Sequence, residues 1–188
     1  MSAHVMVAGV GMTKFAKPGQ NEPYTEMGAA AVRDALQDAG LPYDAVQQAY
    51  AGYVYGDSTC GQAALYKVGM TGIPVVNVNN NCSTGSTALY LAYNAVRSGT
   101  SDCVLALGFE KMQKGPLENQ MPGLEKIAAE TEKEKKPPIA ARMFGDAGRD
   151  HMEKYGTSAE TFAQIAVKNH LHSVNNPRSQ YREACTLE

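Results

Sequence analysis

Of the four cysteines in the chain, Cys82 has the surroundings of a nucleophile. The β-branched run Val75-Val76-Asn77-Val78 stops at Asn79-Asn80-Asn81, and Ser83-Thr84-Gly85-Ser86-Thr87-Ala88 then opens a helical pattern. The expected local structure is strand, tight elbow and helix, with Cys82 on the first helical turn. Unpaired backbone N–H groups and about half a positive charge at that position favour a thiolate over a thiol. Free cysteines are more commonly small buried hydrophobes, so the elbow is what sets this one apart. Asparagine enters the positive-φ region more readily than other non-glycine residues. Ser83, Thr84 and Gly85 leave room for a substrate carbonyl beside the backbone.

The remaining reactive residues suggest less. Cys60, Cys82, Cys103 and Cys185 form no CxxC pair, so neither a zinc ribbon nor a disulfide framework is expected, which fits a reducing compartment. His170 and His172 lie two apart and would diverge around a helix, so they are poor metal partners. Gly9-Val10-Gly11 is followed three residues later by Lys14, which breaks the dinucleotide fingerprint. No metal and no nicotinamide or flavin cofactor is expected.

The elements that must hold Cys82 read as alternating strands and helices. Val5 to Val10 is expected to form a first buried strand. Met27, Ala31, Val32, Ala35, Leu36 and Ala39 recur at helical spacing, with Gly40 as the stop. A second strand is expected from Ala49 to Tyr55, a short helix around Ala63 to Val68, and a third strand from Val75 to Val78. The helix after Cys82 should run from about Ser83 to Ser98, and the apolar stretch Asp102 to Gly108 reads as a central strand. This alternation indicates a three-layer α/β domain with a largely parallel sheet.

Three segments are expected: a βαβ core over 1–112, a charged loop or insertion over 113–144, and a helical continuation over 145–188 that looks cut short. The charge run 130–136 reads as a solvated face; alternatively its lysines and Arg142 meet an anionic ligand. A helix is expected over Gly145 to Tyr155. Thr157-Ser158-Ala159-Glu160 has the capping-box form, and Phe162, Ile165, Ala166 and Asn169 are expected on the buried face of the helix it starts. Net charge is −2, and no basic stripe alternates with aromatics, which argues against nucleic acid or an anionic membrane. No signal peptide precedes Val5 and no apolar run reaches membrane-spanning length, so a soluble intracellular protein is expected.

With these residues in view, the sequence closely resembles the thiolase family, in particular the sterol carrier protein X type of peroxisomal thiolase and its bacterial relatives. The resemblance covers nearly the whole chain. Its carriers are the blocks Gly9 to Phe15, Gly56 to Gln62, Asn77 to Ser86, Cys103 to Met112 and His151 to Thr157. It implies a thiolase-like N-terminal domain, three-layer with a mostly parallel mixed sheet, plus an inserted loop region, the second thiolase half being absent. It further implies a 3-oxoacyl-CoA thiolase that uses coenzyme A as substrate and acts in fatty-acid or sterol side-chain β-oxidation. Cys82 would accept the acyl group, its N–H would contribute to an oxyanion hole, and Met143 would line the substrate pocket. Cys60 would be structural. The acid-base residues lie in the second half, so the chain alone is expected to be inactive. A homodimer is implied, in the peroxisome of a eukaryote or the cytoplasm of a bacterium. Two alternatives stand beside this reading: a non-catalytic acyl-CoA or lipid-binding module or partner subunit, and a ketosynthase-like condensing enzyme.

Overall fold

The structure, a computed structural model, describes residues 4–17, 19–112, 137 and 139–187. The expected insertion, with its charge run, falls outside them from 113 to 136. The chain forms two compact units, Met1–Lys111 and Met112–Glu188.

The first unit is built on three parallel strands, β1 (Gln48–Gly52), β2 (Val75–Val78) and β3 (Val104–Gly108), in the order β2-β1-β3. Parallel neighbours need crossovers, and helices α2 (Cys60–Leu65) and α3 (Thr84–Arg97) supply them. Helix α1 (Tyr24–Ala39) precedes the sheet and stops where the sequence puts Gly40, at φ +64°. Gly40 and Leu41 donate their N–H groups to Gln37 and Leu36, closing the helix in a Schellman turn.

Alternation along the strands separates two helical layers. Ala49, Leu107, Val32, Ala64 and Leu65 make the buried cluster that joins the sheet to α1 and α2. Burying a leucine or valine side chain contributes about 1.5–3 kcal/mol, so Leu65 and Val32, both fully buried, anchor this layer. The opposite face carries Gly52 and Gly108, paired in register. A Cβ at Gly52 would lie 2.6 Å from the carbonyl oxygen of Thr84, so the glycine is what lets the start of α3 rest on the sheet. Helices on both faces give the three-layer α/β arrangement.

Several boundaries depart from expectation. Val5 to Val10 forms no strand: it runs beside α1, where Gly9 and Gly11 sit too close to the helix backbone to admit a Cβ, and Val10 N–H donates to Asp38. Val7 is 74% exposed. A strand needs a pairing edge as well as an apolar pattern, and this segment takes its contacts from a helix instead. β1, rather than β3, is central among the described strands, and it ends at Gly52.

In the second unit, α4 (Ile139–Tyr155) begins earlier than expected and ends at Gly156, φ +69°. Helix α5 (Ala159–Val174) is capped by Ser158, whose Oγ accepts the Thr161 N–H at 3.3 Å. The cap therefore lies one residue later than the capping-box pattern suggests. None of the described α5 residues is buried, contrary to the expected buried face; Phe162 instead meets the edge of His151 and approaches Gly148 on α4. Among the described residues no helix is long and apolar enough to cross a membrane.

Candidate functional site

The elbow between β2 and α3 is closed by Thr84. This buried hydroxyl donates to the Val78 carbonyl at 2.8 Å and accepts the Asn80 N–H at 3.3 Å, tying the first helical residue to the last strand residue. Asn81 takes φ +49°, as an asparagine run permits. Its N–H donates to Asn79 Oδ1 at 3.2 Å, while Ser83 points both its N–H and its hydroxyl at the Asn80 carbonyl. Cys82 sits at the tip, and among the chain's cysteines it is the exposed one: Cys60 is buried, and Cys103 and Cys185 are partly covered.

Cys82 is not on the first turn. It precedes the cap residue Ser83, and Thr84, the first helical residue, turns its hydroxyl back to the strand end. The helix-terminus field falls off within a turn, so Cys82 stands at its margin rather than inside it.

The ends of all three strands converge around this elbow. Glu110, just past β3, accepts the Val54 N–H at 2.7 Å and the Tyr55 N–H at 3.3 Å through one carboxylate oxygen. Asn79 Nδ2 donates to the Val54 carbonyl at 3.4 Å. Tyr55 is held above the usual tyrosine range by burial first, then by the charges of Glu110 and Cys82, which places all three groups in one electrostatic neighbourhood. Its hydroxyl is buried without a hydrogen-bond partner among the described residues.

Behind this region Phe109 is stacked between Tyr24 and Tyr53, each 5.3 Å from it centre to centre. Tyr53 accepts the Cys60 N–H and donates to the Asp57 carbonyl. The Tyr24 hydroxyl is pushed up to about 12, chiefly by its hydrogen bond to Cys60, then by burial and nearby negative charge. Cys60 is thus enclosed between two tyrosine hydroxyls.

Met143 belongs to the second unit, 65% exposed on α4. Along the same helix Ala141, Arg142, Gly145, Asp146 and Arg149, with Pro137 just before it, line a groove of about 370 Å³, in which Arg149 is paired with Asp146. His170 hydrogen-bonds the Glu183 carbonyl. Among the described residues no three His, Cys, Asp or Glu side chains converge to hold a metal. Sequence reading missed Glu110, and it placed Asn79 in the elbow without its bond to Val54, which is distant in the chain. The available signal was an acidic residue directly after an apolar strand, where a side chain can reach the neighbouring strand's end.

Residues 5–185 match the family described as Thiolase, N-terminal domain. The chain is 53% identical to sterol carrier protein 2 of Gallus gallus, an alignment covering 100% of the chain and 36% of that protein. It is 32% identical to the benzoylsuccinyl-CoA thiolase subunit BbsB of Thauera aromatica, covering 98% of the chain and 47% of that subunit. A solved structure, the Ltp2-ChsH2(DUF35) aldolase, superposes with a TM-score of 0.69 at 21% identity over 95% of the chain and 46% of its own; it supports the fold. The chain therefore spans between about a third and a half of the length of these relatives.

Proposed function

The chain belongs to the thiolase family, whose N-terminal domain it matches over residues 5–185, and on that premise we propose that Cys82 is the acyl-accepting nucleophile of a 3-oxoacyl-CoA thiolase. The observation that carries this reading is an exposed cysteine at the strand-to-helix elbow of a thiolase N-terminal domain. The Cys82 thiolate attacks the 3-oxo carbonyl carbon. The bond between C2 and C3 then breaks, its electron pair passes to C2, and protonation there releases acetyl-CoA or its 2-substituted form. The remaining acyl group stays on sulfur as a thioester, which the thiol of a second coenzyme A attacks to free Cys82. The Cys82 backbone N–H donates to the oxyanion of the tetrahedral intermediate; losing one such donor typically costs roughly 3 kcal/mol.

The proton-transfer groups are supplied by a part of the protein that is not in these residues, and the intact protein is a homodimer. The 188-residue chain is then acylated once but does not turn over. Intact-mass measurement after exposure to acetyl-CoA, from which Cys82 takes the acetyl group by thioester exchange as the coenzyme A thiolate leaves, should show one acetyl group on Cys82, and none on Cys82→Ala. Steady release of acetyl-CoA from acetoacetyl-CoA by this chain alone would overturn the division of labour.

A second reading is favoured by the similarity to sterol carrier protein 2: a lipid or acyl-CoA binding module without chemistry. Acyl-CoA binding that persists unchanged in Cys82→Ala, with no acyl-enzyme in the parent, would select it.

A further inference from the structure

Among the described residues no side-chain hydrogen bond holds the Cys82 thiol, yet its elbow is tied to a carboxylate on another strand end. Glu110 lies two residues past β3 and Val54 two residues past β1, and the two strands are in register at Gly52 and Gly108. That register sets the carboxylate opposite the Val54 amide, which it accepts at 2.7 Å. The Val54 carbonyl receives Asn79 Nδ2 at 3.4 Å, and Asn79 Oδ1 receives the Asn81 N–H at 3.2 Å. Asn81 is the left-handed residue, φ +49°, directly before Cys82. A left-handed backbone at a non-glycine residue persists only where its surroundings hold it.

We propose that Glu110 is a positioning residue for Cys82, acting through Val54, Asn79 and Asn81. The relay keeps Asn81 left-handed and so aims the thiol out of the elbow. Without it, Asn81 relaxes toward the right-handed region and turns Cys82 away from an incoming electrophile. The carboxylate's contribution is its acceptor oxygen. A purely electrostatic role would have the opposite sign, because a negative charge beside Cys82 opposes the thiolate. The inference rests on reading Cys82 as a nucleophile, but its test needs no acyl-CoA.

Iodoacetamide alkylation of the full chain, followed peptide by peptide by mass spectrometry at a pH where the thiols are ionised, separates these cases. Glu110→Ala and Asn79→Ala should each slow Cys82 by about fivefold, the effect of one lost hydrogen bond. The double variant should be no slower than the slower single, because both cut one chain. Glu110→Gln, which keeps an acceptor, should restore Cys82 to within about twofold of the parent. Cys60 should stay protected throughout, since merely loosening the fold would expose it.

Unchanged Cys82 rates in the alanine variants, additive losses, or a Glu110→Gln rate as slow as Glu110→Ala or more than about twofold faster than the parent would each overturn the proposal. Should an alanine variant unmask Cys60, Asn79→Ser decides by the same criterion, slowed Cys82 supporting the relay and an unchanged rate refuting it. A parent chain that reacts with iodoacetamide but takes no acetyl group from acetyl-CoA would refute the proposed function while leaving the relay standing.

Discussion

At the scale of single residues, Cys82 is the exposed cysteine, and the left-handed Asn81 directly before it sets the turn of the elbow. Cys82 could be picked out because strand formers, asparagines and small hydroxyl residues surround it in sequence. Its position just outside the helix could not be read, because the tie from the Thr84 hydroxyl back to the Val78 carbonyl is a contact that residue types alone do not announce. Glu110 escaped notice for the related reason that its partners, Val54 and Tyr55, lie on a different strand end. Tyr24 carries a prediction of its own. Its hydroxyl stands at about 12 in the fold against 10.0 in an unstructured chain, so the fold favours the neutral form. That contribution is fully present below the lower value and is lost as pH climbs through the higher one. Tyr24→Phe should therefore flatten the alkaline decline in melting temperature; an unchanged slope would remove Cys60 and its neighbours as the cause.

At the scale of elements, β2 and the glycine stop of α1 followed directly from sequence, because a β-branched run and a left-handed cap are local properties. The N-terminal strand did not, since pairing is a property of two segments and an apolar pattern names only one of them. The meeting of β1 with α3 was equally illegible, although it decides where the elbow stands. Gly52→Ala would set a methyl group 2.6 Å from the Thr84 carbonyl, and overpacking of this kind typically costs about 1–3 kcal/mol. Thr84→Val would leave the Val78 carbonyl and Asn80 N–H without their shared partner, a loss of about 1–3 kcal/mol. Urea midpoints should fall in both variants. Cys82 alkylation should also change in Thr84→Val, which opens the elbow itself.

At the scale of the whole molecule, the described sheet has β2 and β3 at its margins, and α3 presents Leu89, Tyr90 and Tyr93 to solvent along one face. Unpaired edges and contiguous apolar surface promote association. With a net charge of only −2 there is little repulsion to oppose it. Sedimentation should show the 188-residue chain associating as concentration rises, and Leu89→Lys combined with Tyr90→Lys should reduce that tendency; indifference to the pair would mean that another surface is responsible.

The aromatic stack offers a practical handle on the same region. The chain has ten tyrosines and no tryptophan, so its near-ultraviolet circular dichroism comes largely from tyrosine rings held in fixed asymmetric surroundings. Tyr24 and Tyr53 are clamped against Phe109, the residue next to Glu110. The protein therefore carries a native optical reporter at the strand ends, and a rearrangement around Glu110 would register as a spectral change without any dye, label or added chromophore.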